Sequence, residues 1–181
     1  MNSTVTSASP SHPAPGSMKV PSLLLKVLGR MRRQLGMELA FVSEFTGGRR
    51  VFLLVDSGTD ELQIHAGNSD PLDDSFCLRV ADGRLPELMT DACLNAEALT
   101  LPVTQALPVG AHLSVPIRLA DGHVFGTICC FSRRPDESLQ DHDLDTLRMM
   151  AGAMADYFEQ GLAIDEGSGG SPAVPDQGMN R

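Results

Sequence analysis

The stretch "AHLSVPIRLADGHVFGTICCFS", residues 111–132, decides the fold. Two apolar runs flank Asp121-Gly122. Asp-Gly favours a two-residue type I′ turn, because both central positions take positive φ, so the stretch predicts a β-hairpin. With Asp121 and Gly122 as the loop, Leu113 faces Cys130, Val115 faces Ile128 and Leu119 faces Val124 on one side of the sheet. His112 faces Phe131, Ser114 faces Cys129 and Pro116 faces Thr127 on the other. The neighbouring thiols of Cys129 and Cys130 therefore point to opposite faces. They cannot share a metal ion without breaking the strand, and a disulfide between them would strain the backbone. Cys130 lies on an all-apolar face and reads as core, since free cysteine is among the most buried residue types. Cys129 shares its face with Ser114 and Thr127. That mixture is what a ligand cavity with a few polar groups looks like; the other reading is a second core holding a small inert residue, as most buried cysteines are inert.

Working outward, Ser138 stands in N-cap position, with Asp141 three residues on to complete a capping box. Asp141, Asp143 and Asp145 favour the helix dipole, and Leu144, Leu147, Met150, Met154 and Phe158 recur at helical spacing. At the other end, "VPSLLLKVLGRMRRQLG" (20–36) carries Leu24, Val27, Leu28, Met31 and Leu35 at the same spacing. Pro21 stands near its start and Gly36 supplies a stop. Between these helices, "ELAFVSEF" (38–45), "RRVFLLVD" (49–56) and "ELQIHAG" (61–67) read as three antiparallel strands in a meander. "PLDDSFCLRVADGR" (71–84) reads as a short helix, "LPELMTDA" (85–92) as a short strand, and "NAEALTLPVTQALP" (95–108) carries weak signals. The predicted class is α/β (α+β): one antiparallel sheet, a helix from each end of the chain, and a helical excursion on the opposite side.

The whole chain has 181 residues, with 42% hydrophobic and 20% charged residues, which suits one globular domain with a full core. A formal net charge of -9 repels phosphate backbones and anionic lipid, so nucleic acid and membrane are poor partners. With no Trp and one Tyr there is little to stack on bases. No apolar run reaches the length of a membrane span and no secretory signal is evident. The four cysteines lack zinc-site spacing, so free thiols in the cytoplasm are expected. Residues 1–17 and 164–181 are rich in Ser, Pro, Gly and small residues and are expected to be disordered. Residues 18–163 form the domain, with Met18 a candidate start of translation. Walker, HExxH and nucleophile-elbow patterns do not occur, and "GGRR" and "GSGG" lack the strand–turn–helix setting of a phosphate loop.

The hairpin "LSVPIRLADGHVFGTICCF" resembles the late hairpin of GAF domains, small-molecule sensor modules of signalling proteins. "DDSFCLRVADGRLPELMTDA" resembles the helix-and-strand element of a GAF subgroup found in bacterial and archaeal sensors. In that subgroup Ser, an aromatic and Cys precede an Arg-Val-like pair, and Asp-Ala closes the next strand. Ser75, Phe76, Cys77, Arg79, Val80, Asp91 and Ala92 stand in those places. "SLQDHDLDTLRMMAGAMADYF" resembles the closing helix. The resemblance spans residues 19–162. It implies terminal helices on one face of the sheet, a pocket closed by the excursion on the other, and pairing of terminal helices across a homodimer. It also implies output through a cyclic-dinucleotide enzyme, a kinase or a regulator. No segment after residue 163 suits an output domain, so a stand-alone or separated sensory part is expected.

Candidate pocket residues are Cys77, Arg79, Arg84, Asp91 and Cys93 from the excursion, and Ser114, Thr127 and Cys129 from the hairpin. An Arg beside small polar groups suits an anionic ligand, whereas Arg79 and Arg84 paired with Asp73, Asp74 or Asp82 at the surface would be worth little. A second reading is a thiol enzyme: one GAF-fold branch reduces free methionine sulfoxide with pocket cysteines, and Cys77, Cys93 and Cys129 are the candidates here. Bilin or haem attachment is not expected, because Cys77 and Cys93 are each followed by Leu and His65, His112, His123 and His142 stand alone. No metal is expected, and the ligand is unidentified. A third reading is a dimerisation module without ligand. The apolar stripes expected at the dimer are Leu24, Val27, Leu28, Met31 and Leu35 with Leu147, Met150, Met154 and Phe158. Arg30, Arg32 and Arg33 are expected on a solvated face.

Overall fold

The computed structural model describes residues 22–167. The expectations for residues 1–17, Met18, Pro21 and the chain beyond 167 lie outside the described residues. The chain begins with helix α1 (Ser22–Gln34), stopped by Gly36 at φ 65°. Strands β1 (Leu39–Thr46) and β2 (Arg49–Ser57) follow, then the short β3 (Ser69–Pro71). The excursion comprises a 3-10 turn (Leu72–Asp74), α2 (Phe76–Ala81), β4 (Leu88–Met89), a second 3-10 turn (Ala92–Leu94), α3 (Ala96–Leu99) and α4 (Pro102–Ala106). The hairpin β5 (His112–Arg118) and β6 (Val124–Phe131) leads to α5 (Asp141–Gly167). Six antiparallel strands run in the order β3-β2-β1-β6-β5-β4. The hairpin thus lies at the centre of the sheet.

The hairpin register is the one its sequence predicts from His112↔Phe131 through Pro116↔Thr127. Its turn differs. Among the described residues no non-glycine has positive φ, so Asp121 does not serve in a type I′ turn. Instead the Gly122 amide donates to the Leu119 carbonyl at 2.9 Å, Gly122 alone is left-handed at φ 85°, and the Asp121 carboxylate accepts from the His123 amide at 2.8 Å. Three loop residues absorb the reversal, and a register shift after Ile117 replaces the expected Leu119–Val124 pair. Gly126 has a different reason to be glycine. A Cβ there would come within 1.8 Å of the Ser43 carbonyl oxygen, so β1 and β6 approach too closely for any side chain.

"ELQIHAG" is not the third strand. Ser69–Pro71 takes the edge of β2, and residues 59–68 form an irregular strap. Leu62 and Ile64 do alternate inward, which is the signal the sequence shows, but Gly67 is left-handed (φ 87°) and the Asn68 side chain accepts from the His65 amide. "NAEALTLPVTQALP" folds as two short helices, opened by Asn95, which accepts from the Ala98 amide, and by Pro102. The closing helix starts at Asp141, later than a Ser138 cap requires. Asp143 reaches back to the Gln140 amide at 2.9 Å, and Ser138 is held by Asp136. The helix runs to Gly167, past the expected boundary at 163.

The sheet separates two cores. On one face α1 and α5 enclose Leu28, Met31, Val42, Leu113, Ile128, Cys130, Leu147, Met154 and Phe158. On the other the excursion and the strap enclose Leu39, Phe41, Phe52, Phe76, Cys77, Val80, Cys129 and Phe131. Several side chains expected at a dimer seam are therefore the chain's own core: Leu28, Leu147 and Phe158 are fully buried, with Met31 and Met154 nearly so. The stripe is apolar because it faces the sheet. Leu24, Leu35 and Met150 flank that core, and Val27 is exposed. Arg32 is not on a solvated face; its Nε donates to Asp56 at 2.5 Å and its Nη1 to the Met37 carbonyl, while Arg30 and Arg33 are exposed.

Candidate functional site

The second core holds more polar groups than its hydrophobic composition needs. Along β6, Thr127 and Cys129 face it; along β5, His112 and Ser114; along β1, Ser43. Arg50 on β2 enters from the side with only 7% of its surface exposed. A guanidinium buried to that degree requires partners. Its Nε and Nη2 grip the Asp70 carboxylate at 3.0 and 2.5 Å, and its Nη1 donates to the Cys77 sulfur at 3.1 Å. The guanidinium carbon also lies 4.8 Å from the Phe52 ring centre and 5.4 Å from that of Phe41.

Cys77 sits in α2, whose first turn is fixed by Ser75: its Oγ accepts from the Leu78 amide. That helix packs directly on β6 and brings the Cys77 sulfur to Cys129. Burial raises the Cys77 thiol. Hydrogen bonding from Cys129, the positive charge of Arg50, and hydrogen bonds from Thr127 and Arg50 outweigh it, and the thiol comes down to about 6. Cys129 moves the opposite way: burial and the neighbouring Cys77 charge hold its proton on. The pair thus sheds one proton and keeps the other. Cys129 Sγ lies 3.3 Å from His112 Nε2. Burial, then the Arg50 charge, push His112 down to about 3, so the ring is neutral. Thr127 Oγ1 and Ser43 Oγ are 3.0 Å apart. His112 Nδ1 and Ser114 Oγ are buried without a hydrogen-bond partner. Each such group costs about 1–3 kcal/mol unless something satisfies it.

A cavity of about 40 Å³ adjoins this cluster, lined by Phe41, Arg50, Ile64, Phe76, Val103, Leu107, Val109, His112, Cys129 and Phe131. It has room for a few waters. Arg50, Ile64 and Val103 also line an open outer groove with Gln63, Asn68, Ser69 and Asp70. Ile64 of the strap and Val103 of α4 therefore form the wall between the cavity and the outside.

Of the expected pocket residues, Cys77, Ser114, Thr127 and Cys129 converge here. The others do not. Arg79 pairs with Glu97 at 2.9 Å, and Arg84 pairs with Asp82 and, at 3.7 Å, with Glu97. Asp91 caps a 3-10 turn by accepting from the Cys93 amide, and Cys93 is exposed. Arg84, Asp91 and Cys93 lie on the outer side of the excursion, and Arg79, its side chain 16% exposed, is drawn to Glu97 and away from the cavity. Arg50 and His112 are the residues that sequence reasoning missed as a site. Arg50 has the strand parity of Phe52, and a charged residue at an inward position of an apolar strand was the available signal. His112 was placed on the Cys129 face but read as standing alone. Among the described residues, no group of three or more His, Cys, Asp or Glu side chains is placed to hold a metal ion. No described helix is long and apolar enough to cross a membrane.

A six-stranded antiparallel sheet with terminal helices behind it and an enclosed polar cluster in front makes a mixed α+β domain. The chain belongs to the GAF domain family, whose sequence profile matches residues 17–159. The phycocyanobilin-bound GAF domain of a cyanobacterial phytochrome is similar in fold (TM-score 0.63, 12% identity, covering 80% of this chain and 86% of that one). So is the GAF domain of an Acinetobacter phosphoenolpyruvate-protein phosphotransferase (TM-score 0.60, 12% identity, 79% and 86%). A type II free methionine-R-sulfoxide reductase from Thermoplasma acidophilum also shares the fold (TM-score 0.55, 17% identity, 75% and 89%). At these identities the likeness is one of fold. No curated protein matches the chain in sequence.

Proposed function

We propose that this GAF domain is a non-catalytic sensory module that admits a small, largely apolar molecule between the sheet and the excursion. The observation that carries the reading is the buried polar cluster, with His112 Nδ1 and Ser114 Oγ unpartnered inside an otherwise apolar core. A core built only for stability gains nothing from such groups. The lining is aromatic and aliphatic with a few polar groups, as in ligand sites generally. The Arg50 charge is already balanced by Asp70 and by a Cys77 thiolate, so the ligand class is a neutral molecule with a hydrogen-bonding group for His112 rather than an anion. Entry requires Ile64 and Val103 to part. That motion displaces the strap and α4, a movement a partner can read.

The partner class in this reading is a separate output protein, such as a cyclic-dinucleotide enzyme, a kinase or a regulator, in the cytoplasm. Homodimerisation through α1 and α5 is part of the proposal. The apolar side chains available on their exposed surfaces are Leu23, Leu25, Val27 and Met149. A reductase reading has less support, because Cys93 stands apart from the Cys77–Cys129 pair.

Native mass spectrometry of the full chain, purified without denaturation, tests the ligand. A retained small mass that is lost on unfolding and absent from Val103→Trp, which plugs the wall, is expected. An unliganded mass throughout, with no thermal stabilisation by any of a panel of small neutral aromatic compounds, would overturn the reading.

A further inference from the structure

We propose that Cys77 and Cys129 form a two-electron redox couple, oxidised to a disulfide by a hydroperoxide small enough to enter the cavity. This does not depend on an organic ligand binding there. Helix α2 packs on β6, and Cys77 and Cys129 lie in the same buried cluster from these two elements. Cys77 receives the Arg50 Nη1 hydrogen bond at 3.1 Å and Cys129 contacts His112 at 3.3 Å. The cavity wall presents Arg50, which holds the Cys77 sulfur, with Cys129 and its neighbour His112, so a small molecule in the cavity lies one side chain from Cys77. A structural pair of core cysteines needs neither a buried guanidinium nor a thiolate. A redox pair needs a thiolate, because only the thiolate is nucleophilic, and the Arg50 guanidinium is placed to hold one on Cys77.

The Cys77 thiolate attacks one peroxide oxygen; an S–O bond forms, the O–O bond breaks, and hydroxide leaves. Cys77 is now a sulfenic acid, oxidised by two electrons, and the peroxide is reduced. Cys129 then attacks the Cys77 sulfur. The S–S bond forms, the S–O bond breaks, and the Cys129 proton combines with the departing hydroxide to give water. The net change is one thiolate, one thiol and one peroxide giving one disulfide, one water and one hydroxide. The charged and titratable groups facing the pair are Arg50 from β2, Asp70 from β3 and His112 from β5. Oxidation removes the negative charge that Arg50 Nη1 faces, which leaves a buried donor open to the cavity.

The test treats the full-length protein, with exposed Cys93 first blocked by N-ethylmaleimide under native conditions, with hydrogen peroxide in the presence of a chelator. The expected result is an intact mass lower by two hydrogens, restored by dithiothreitol, with a peptide linking Cys77 to Cys129. Cys130, on the other face, stays reduced. In Cys129→Ser, dimedone traps a sulfenic acid on Cys77. Peroxide treatment that leaves both thiols reduced, or that carries Cys77 to sulfinic acid without a disulfide, overturns the proposal. The peptide map of the unmutated chain decides the matter even where Cys129→Ser fails to fold.

Discussion

Protonation of His112 should be the main acid lability of this domain that a single substitution can remove. The ring is fully buried at the rim of the cavity, beside the Arg50 charge, and its pKa falls from 6.5 to about 3. The unfolded chain binds the proton below 6.5, whereas the folded chain refuses it until about 3. Stability from this group is therefore complete above pH 6.5 and is lost as pH falls towards 3. Between pH 6.0 and 4.5 the loss is about 2 kcal/mol at 1.36 kcal/mol per pH unit. That is a large share of a typical 5–15 kcal/mol total. The thiol contribution lies elsewhere. Cys77 is lowered from 9.0 to about 6, so its stabilisation is complete above 9 and largely gone below 6. Urea unfolding at pH 6.0 and 4.5 is the assay, on wild type and His112→Leu. Whatever His112→Leu costs in packing applies at both pH values, so the difference between the two slopes isolates the proton. Wild type should lose about 1 M more of its urea midpoint than the variant over this range, with an m-value of roughly 1–3 kcal/mol/M. Equal losses in both proteins would show that the ring is protonated in the folded state and that the neutral cluster is misread.

Three further outcomes follow from the same geometry. Gly126→Ala, with its Cβ 1.8 Å from the Ser43 carbonyl oxygen, should force β1 and β6 apart and lower stability by about 3 kcal/mol, read as a fall in Tm of several degrees; an unchanged Tm would contradict that approach. Arg50→Met removes the charge and hydrogen bond that hold the Cys77 thiolate, so thiolate absorbance should titrate well above the midpoint near 6 of the wild type; an unchanged midpoint would mean Arg50 does not act on Cys77. Leu28→Asp with Met31→Asp should unfold the chain, since both side chains lie in its own core, whereas Leu23→Glu with Val27→Glu should keep the fold and shift sedimentation towards monomer. A folded Leu28→Asp/Met31→Asp protein would refute the core assignment.

The hairpin was legible because alternation and a turn signal together leave one register, and that register separates Cys129 from Cys130 whatever the turn type. The turn itself was less legible, since Asp-Gly serves both a type I′ turn and a loop in which only Gly122 is left-handed. "ELQIHAG" misled because Leu62 and Ile64 alternate towards a core with no strand beside them; alternation reports burial, and pairing depends on which segment reaches the β2 edge first. On α1 and α5 a stripe facing the sheet and a stripe facing a second copy have the same period, so Leu28 and Phe158 could not reveal their side. At the site, Thr127, Ser114 and Cys129 were legible from strand parity. Arg50 and its grip on Cys77 were not, because they depend on a contact between β2 and the excursion that no local pattern encodes. Arg79 and Arg84 are close to Cys77 in sequence, yet Glu97 and Asp82 hold their guanidinium groups away from the cavity.

The most direct test of the cavity as the binding site is methyl NMR of the full chain, titrated with small neutral aromatic compounds. The account predicts that Ile64, Val103, Leu107 and Val109 methyls shift together with saturation, while Leu113, Val115 and Ile128 on the opposite face of the sheet do not. Shifts confined to the terminal-helix core, or no saturable shift at the four cavity residues, would contradict it.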